Sequence, residues 1–245
     1  MMRGVFLQQS STYRMQLKER MCLTDATCDD QIIKITIAHP DGRAIGDFVT
    51  GQYVRMGIRG LSDPAPAYFA VASSPYDQHC YEFVIKCVSG MANKLLTLDL
   101  GTEVEVEGPM GKGFNLQAFK GKDVILMGVG TGIAPLRSVW RSLTHEREHY
   151  GKISVYAGFL TACHRLLTDE MEDLAEHNID VSVSLTTGHE DWDGPVGYVQ
   201  HALEEDAPSG ENTVVCLAGM SVMVDACTQT LHNLGFNDDH ILRNF

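Results

Sequence analysis

Three glycines on alternate positions, Gly128, Gly130 and Gly132, close the stretch DVILMGVGTGIAP at 123–135. The apolar residues before them read as a buried strand. A strand that ends in so bare a turn lets another group approach the backbone, because glycine has no Cβ and tolerates positive φ. Pro135 suits the first turn of a following helix, where its missing N–H is no loss. The start of such a helix offers unpaired N–H groups and the positive end of a dipole, a combination that suits a diphosphate. The spacing, however, is GxGxG and not the GxGxxG of the dinucleotide fingerprint. Alone, the turn leaves two readings open, a ligand cradle or a tight strand–helix junction.

Other chemistry is sparse. The cysteines are Cys22, Cys28, Cys80, Cys87, Cys163, Cys216 and Cys227, an odd number with no CxxC pair. Neither zinc nor iron–sulfur spacing is present, and the ten histidines show no HxH or HExxH, so no metal site is expected. The thiols read as reduced and mostly buried, which fits the cytoplasm or, alternatively, an organelle stroma or matrix. A formal net charge of −13 argues against nucleic acid as a partner. It also disfavours an acidic redox protein unless a local basic patch exists. No stretch approaches the roughly 20 apolar residues of a membrane span. The first twelve residues are too short and too weakly apolar for a secretory signal.

The elements that must position the turn fall into two halves. Short β-rich runs at 13–22, 31–38, 52–58, 68–72, 81–88 and 103–107, joined by Gly, Pro and Asp turns, imply a closed barrel or sandwich, with one helix at 91–98. Beyond about residue 118, strands at 124–127, 153–156, 179–185 and 213–218 alternate with helices at 135–150, 164–177, 196–203 and 222–234. That alternation implies a parallel sheet with right-handed crossovers. The expected fold is an antiparallel Greek-key β-barrel over 1–117 followed by an α/β Rossmann-like domain over 118–245.

Several stretches then match one family in order. GTGIAPLRS (130–138) resembles the nicotinamide-dinucleotide loop of the ferredoxin–NADP reductase superfamily, and GPMGKGF (108–114) the segment that ends its flavin barrel. GQYVRM (51–56) resembles a barrel-strand motif of the family. WDGPVGYV (192–199) is similar to a signature of its hydrogenase-gamma and dihydroorotate-dehydrogenase electron-transfer branches. The chain ends ILRNF, as many members end on an aromatic residue against the flavin. The iron–sulfur extension of those branches has no counterpart, so electrons are expected to leave from the flavin edge or through another protein.

The resemblance implies a flavin, FAD with FMN as the alternative, in the barrel and NADH or NADPH on the α/β domain. Hydride passes from nicotinamide to flavin and electrons move on to an unidentified acceptor, small molecule or protein. The cofactors carry this chemistry, so the absence of acid–base pairs is no objection. Gly130, Thr131 and Gly132 carry over as the nucleotide loop, with Thr131 able to bond the carboxamide. Gly219 and Met220 follow Ala218, which replaces the family cysteine; Cys216 is expected in the core. Leu160 stands where NADP-dependent relatives often place Arg, which favours NADH, although His164 and Arg165 lie nearby.

On the flavin side the run AYFAVASSP (67–75) keeps an aromatic at Phe69, followed by Ala70, Val71, Ala72 and Ser73, but has Ala67 for the family Arg and Ala70 for its Ser. Losing a charge-assisted phosphate contact weakens binding by about 1.5–3 kcal/mol. Gly90, Ala92, Asn93 and Lys94 resemble the second phosphate-binding helix start. Phe245 is expected on the flavin ring, Trp140 in packing, and Glu170 and Glu172 on a solvated helix face. The rival to an enzyme is a non-catalytic member of the fold, binding a nucleotide or a partner, and the three alanines favour it.

Overall fold

The computed structural model describes residues 12–24 and 27–244. Six antiparallel strands form the first unit: β1 (Thr12–Cys22), β2 (Ile32–Ala38), β3 (Tyr53–Ile58), β4 (Ala67–Ala70), β5 (Cys80–Lys86) and, after helix α1 (Gly90–Thr97), β6 (Glu103–Met110). Their order is β4-β3-β6-β1-β2-β5. Alternation decides which face is inside. Ile33, Ile35 and Ile37 are fully buried while Lys34 and Thr36 between them are not, and Val104 and Val106 are buried between Glu103, Glu105 and Glu107. The sheet curls until its edges nearly meet. Just past β4, the Ala72 N–H donates to Glu82 O at 2.8 Å, and the Glu82 N–H donates to Ser73 Oγ at 3.2 Å. These two bonds draw the edge strands together and blunt both edges.

A connection holding the 3-10 turn Leu116–Phe119 leads to a five-stranded parallel sheet. Its elements are β7 (Asp123–Val129), α2 (Ile133–His145), β8 (Ile153–Phe159), α3 (Thr168–Asp173), β9 (Ile179–Leu185), α4 (Val199–Asp206), β10 (Thr213–Ala218), α5 (Ser221–Asn233) and β11 (Ile241–Arg243). The order is β11-β10-β7-β8-β9. The chain runs outward from β7 to β9, returns to β10 on the other side of β7, and ends at β11. The winding therefore reverses between β7 and β10, and the crevice at such a reversal is where open α/β sheets take ligands.

Three departures from expectation have local causes. The helix expected over 164–177 is broken. A 3-10 turn at Ala162–His164 gives way to α3, and between them Leu167 takes φ +56° so that Leu166 and Leu167 both enter the core. The helix expected from 196 starts at Val199, because Gly197 takes φ +129° and Val196 bridges Leu185. β11, which pairs with Val215–Leu217, was not foreseen; three residues are too few to show an alternation.

The two units share a seam. Ile32, Ala72 and Val84 from the barrel pack with Val139, Trp140 and Phe159 of the α/β unit in one apolar cluster. Beside it runs a polar layer built on Arg137 of α2, whose side chain is 1% exposed. Its Nη1 donates to Ala72 O at 3.0 Å and to Glu82 at 2.8 Å, while Nε and Nη2 hold both oxygens of Glu170 at 2.7 and 2.8 Å. Arg141 reaches Glu82 and Asp77, and Ser142 meets Ser74 at 2.8 Å. Glu170 is thus a member of the seam, a correction to its expected place on a solvated face; Glu172 is exposed as expected. Burial raises the Glu82 carboxyl, but Arg137 and then Arg141 outweigh it and hold it below the ordinary range.

Candidate active site

A cleft of about 910 Å³ opens along the seam at the carboxyl ends of β7 and β10. Its α/β wall is the glycine turn and the loop after β10; its barrel wall is Tyr68, Phe69 and Ala70 of β4 with Lys86 of β5. The three glycines of the turn do different work. A Cβ on Gly128 would lie 2.8 Å from Leu136, so this glycine lets α2 pack on the strand. A Cβ on Gly132 would lie 2.6 Å from Ala218 O and 2.7 Å from Gly219 Cα, so here the two loops touch. Gly130 has φ +51° and open space where a Cβ would stand. The turn is therefore a tight packing junction at Gly128 and Gly132 and leaves an open backbone on the cleft at Gly130.

Thr131 stands half-buried in the 3-10 turn Gly130–Gly132, directly before α2. The first turn of α2 carries no acidic residue and lines the cleft through Ala134 and Pro135. Gly219 takes φ +154°, and Met220 is 72% exposed at the mouth. Cys216 is fully buried, and burial pushes its thiol pKa far up, so it is a core residue.

The barrel side is less uniform. Phe69 borders the cleft and packs edge-to-face with Phe83 at 6.4 Å, so it serves the barrel core as well. Tyr68, unremarked in the sequence, is 63% exposed on the cleft and held edge-on by Tyr53 at 5.7 Å. Strand alternation is the signal that would have found it, since Phe69 faces inward. Val71, Ala72 and Ser73, expected at the cofactor, are not among the residues that line the cleft. All three are completely buried, Val71 in the barrel core and Ala72 in the seam, and the Val71 and Ala72 N–H groups are spent on Gln52 O and Glu82 O. They close the barrel and do not face the cleft.

Gly90, Ala92, Asn93 and Lys94 form the first turn of α1, beside β4 but outside the cleft lining. Gly90 takes φ +54°, and the Asn93 N–H is spent on Ser89 O at 3.3 Å. Phe245 lies outside the described residues; its neighbour Asn244 lines the cleft. Leu160 is 53% exposed on the cleft wall, with His164 nearby, whereas Arg165 lies over the Trp192 ring at 4.9 Å and is committed there. One grouping was invisible in the sequence. Cys28 and Cys163, 135 positions apart, meet at the seam with His164.

Residues 126–229 match the family model described as the oxidoreductase NAD-binding domain. The sulfhydrogenase 1 gamma subunit of Pyrococcus furiosus is 30% identical over 198 residues, 79% of this chain and 66% of that protein. The chain belongs to the ferredoxin–NADP reductase superfamily. Members of this superfamily are NAD(P)H flavin oxidoreductases. NADH-cytochrome b5 reductase 1 of Dictyostelium discoideum is 27% identical over 237 residues, 93% of this chain and 80% of that one. The fold agrees with a solved Neisseria gonorrhoeae ferredoxin NADP+ reductase with bound FAD and NADP at a TM-score of 0.74 and 18% identity, covering 96% and 99% of the two chains. Among the described residues, no helix is long and apolar enough to cross a membrane.

Proposed function

We propose that this chain takes hydride from NADH to a flavin at the seam cleft and passes the electrons to a separate acceptor, protein or small molecule. The observation that carries the reading is the opposition, across one cleft, of the GTG turn and the Ala218–Met220 loop to the aromatic edge of β4. On this reading the chain divides near 117/118 into a flavin unit and a nucleotide unit.

The residues present fit a pyridine dinucleotide. The open backbone at Gly130 lets a diphosphate approach the turn ahead of α2, and the Thr131 hydroxyl orients a carboxamide; the Ile133 N–H is spent on Gly130 O and Thr131 O and Pro135 has none, so the cradle does not rest on those two positions. The residues present also fit a flat ring against Tyr68 and Phe69, with Gly90, Ala92 and Lys94 toward a phosphate. FAD, or FMN in its place, supplies the two-electron to one-electron conversion when bound. What the protein contributes is orientation: two walls from two units, held at fixed separation by the Arg137 layer, exclude water between them. Exposed Leu160 at the cleft and the commitment of Arg165 to Trp192 support NADH over NADPH.

Ala67 and Ala70 favour the second reading, a non-catalytic subunit that keeps the nucleotide site. The visible spectrum decides. Purified protein supplied with FAD should show flavin absorption that bleaches on anaerobic NADH. Failure to bind flavin, with NADH still bound, leaves the second reading standing.

A further inference from the structure

We propose that Cys28, Cys163 and His164 form a binding site for a thiophilic divalent cation, zinc being the type, that staples the two units together beside the cleft. The ligand atoms of all three residues lie within 4.8 Å of one another. Cys28 comes from the loop between β1 and β2 and is 8% exposed; Cys163 and His164 come from the turn after β8. Two sulfurs and an imidazole are a donor set selective for zinc over magnesium or calcium.

The spacing agrees with tetrahedral binding at one edge and lies near it at another. Bonds of about 2.3 Å to sulfur and about 2.0–2.1 Å to nitrogen put tetrahedral S and N neighbours about 3.5 Å apart. Cys163 Sγ and His164 Nδ1 are 3.5 Å apart. The two sulfurs, 2.8 Å apart, must separate by about 1 Å to reach the S···S distance those bonds imply, which a small rotation of one cysteine side chain supplies.

The surroundings fit a ligating histidine. With Nδ1 turned to the ion, Nε2 faces Asp30 Oδ2 at 3.5 Å, and Lys86 in turn pairs with Asp30. A carboxylate behind a metal-bound imidazole fixes its tautomer and raises its basicity. Thr161 Oγ1, now 2.7 Å from Nδ1, would yield that bond to the ion and keep its 3.3 Å contact with Cys163 Sγ, where a hydroxyl can donate to a thiolate. Cys28 and Cys163 each release a proton on binding, His164 binds neutral, and the fourth position falls to solvent. Because Asp30 and His164 also line the cleft, the ion would hold the Leu160–His164 turn against the barrel.

The test uses the full chain, reduced, with Zn²⁺ and Co²⁺ as probes. One zinc per chain should survive dialysis, two protons should be released on binding, and the cobalt form should show thiolate charge-transfer and d–d bands. Asp30→Asn should weaken zinc binding by about 10–100-fold, and Cys163→Ser by more than that, whereas Cys22→Ser at an exposed cysteine should change nothing. Independently of any variant, zinc should protect Cys163 from alkylation while Cys22 remains reactive. Trace metal only in the wild type, or Cys163→Ser binding as tightly as the wild type, overturns the proposal. So does a chain two hydrogens light that takes up no metal after reduction, which would assign the pair to a disulfide.

Discussion

Replacing Arg137 with Met tests whether the polar layer at the seam sets the geometry of the cleft. Methionine keeps the length and apolar stem of the side chain and removes every donor. Glu82, with a side chain 14% exposed, then keeps Arg141 at 3.2 Å and the more distant charge of Lys34, and Ala72 O loses a partner. Removing one partner of a buried ion pair costs about 3–5 kcal/mol, mostly from the charge left behind. Arg141 remains, and Glu170 is 30% exposed and can turn to water, so the low end applies, about 3 kcal/mol. For a chain of this size that is a fall in Tm of about 6–12 °C. The double variant Glu82→Gln, Arg137→Met should recover about half of the loss, because the stranded charge is gone.

Acid provides a second readout. The Glu82 carboxyl is held below its ordinary value of 4.5, so its contribution is present above pH 4.5 and is lost as pH falls through the lower folded value. The wild type should lose stability in that acid window, and the Arg137→Met variant should show a smaller slope there. Scanning calorimetry at pH 7 and urea titrations below pH 5 measure both effects. A Tm within about 2 °C of the wild type, or a double variant no more stable than the single, would refute the reasoning.

Three further outcomes follow from the cleft. Leu160→Arg should move the ratio of kcat/KM for NADPH over NADH upward by about 10-fold or more, the worth of one charge-assisted phosphate contact, read in steady-state assays with an artificial acceptor. Gly132→Ala should cost about 1–3 kcal/mol and weaken NADH binding, since its Cβ meets Ala218 O at 2.6 Å, while Gly130→Ala, with open space but φ +51°, should cost only about 1–2 kcal/mol of backbone strain; urea denaturation and calorimetric titration separate the two. Under native conditions a thiol reagent should label exposed Cys22 at once and Cys216 only on unfolding, because burial pushes the Cys216 thiol pKa up.

Much of this was legible because periodicity is local. Ile33, Ile35 and Ile37 announce a one-sided strand, and Val124–Met127 followed by glycines announces a strand that stops under a helix. What was missed is non-local or rests on a single dihedral. Leu167 at φ +56° breaks a helix whose apolar spacing is sound, and no residue type there signals it. Glu170 looks solvated until Arg137, 33 positions earlier, folds onto it. The burial of Val71, Ala72 and Ser73 follows from barrel closure, a pairing between strands that a motif comparison along one strand cannot see. Cys28 and Cys163 lie on opposite units, so no spacing rule reaches them.

The departures from the family pattern are not spread evenly, and that bears on how tightly each cofactor would sit. On the nucleotide side the glycines are retained where the structure demands them: Gly132 lies against Ala218 and Gly130 opens on the cleft. On the flavin side of the proposed reading, Ala67 and Ala70 stand where the family pattern carries a charge and a hydroxyl. A charge-assisted contact of about 1.5–3 kcal/mol corresponds to roughly 10–150-fold in affinity. Stacking of an aromatic pair recovers about 0.5–1.5 kcal/mol, and Tyr68, exposed at the cleft and braced by Tyr53, is placed to supply it. On the proposed reading, aromatic contact thus offsets part of that deficit and leaves flavin held more weakly than a charged partner at position 67 would hold it. On the proposed reading, flavin occupancy then depends on the concentration supplied.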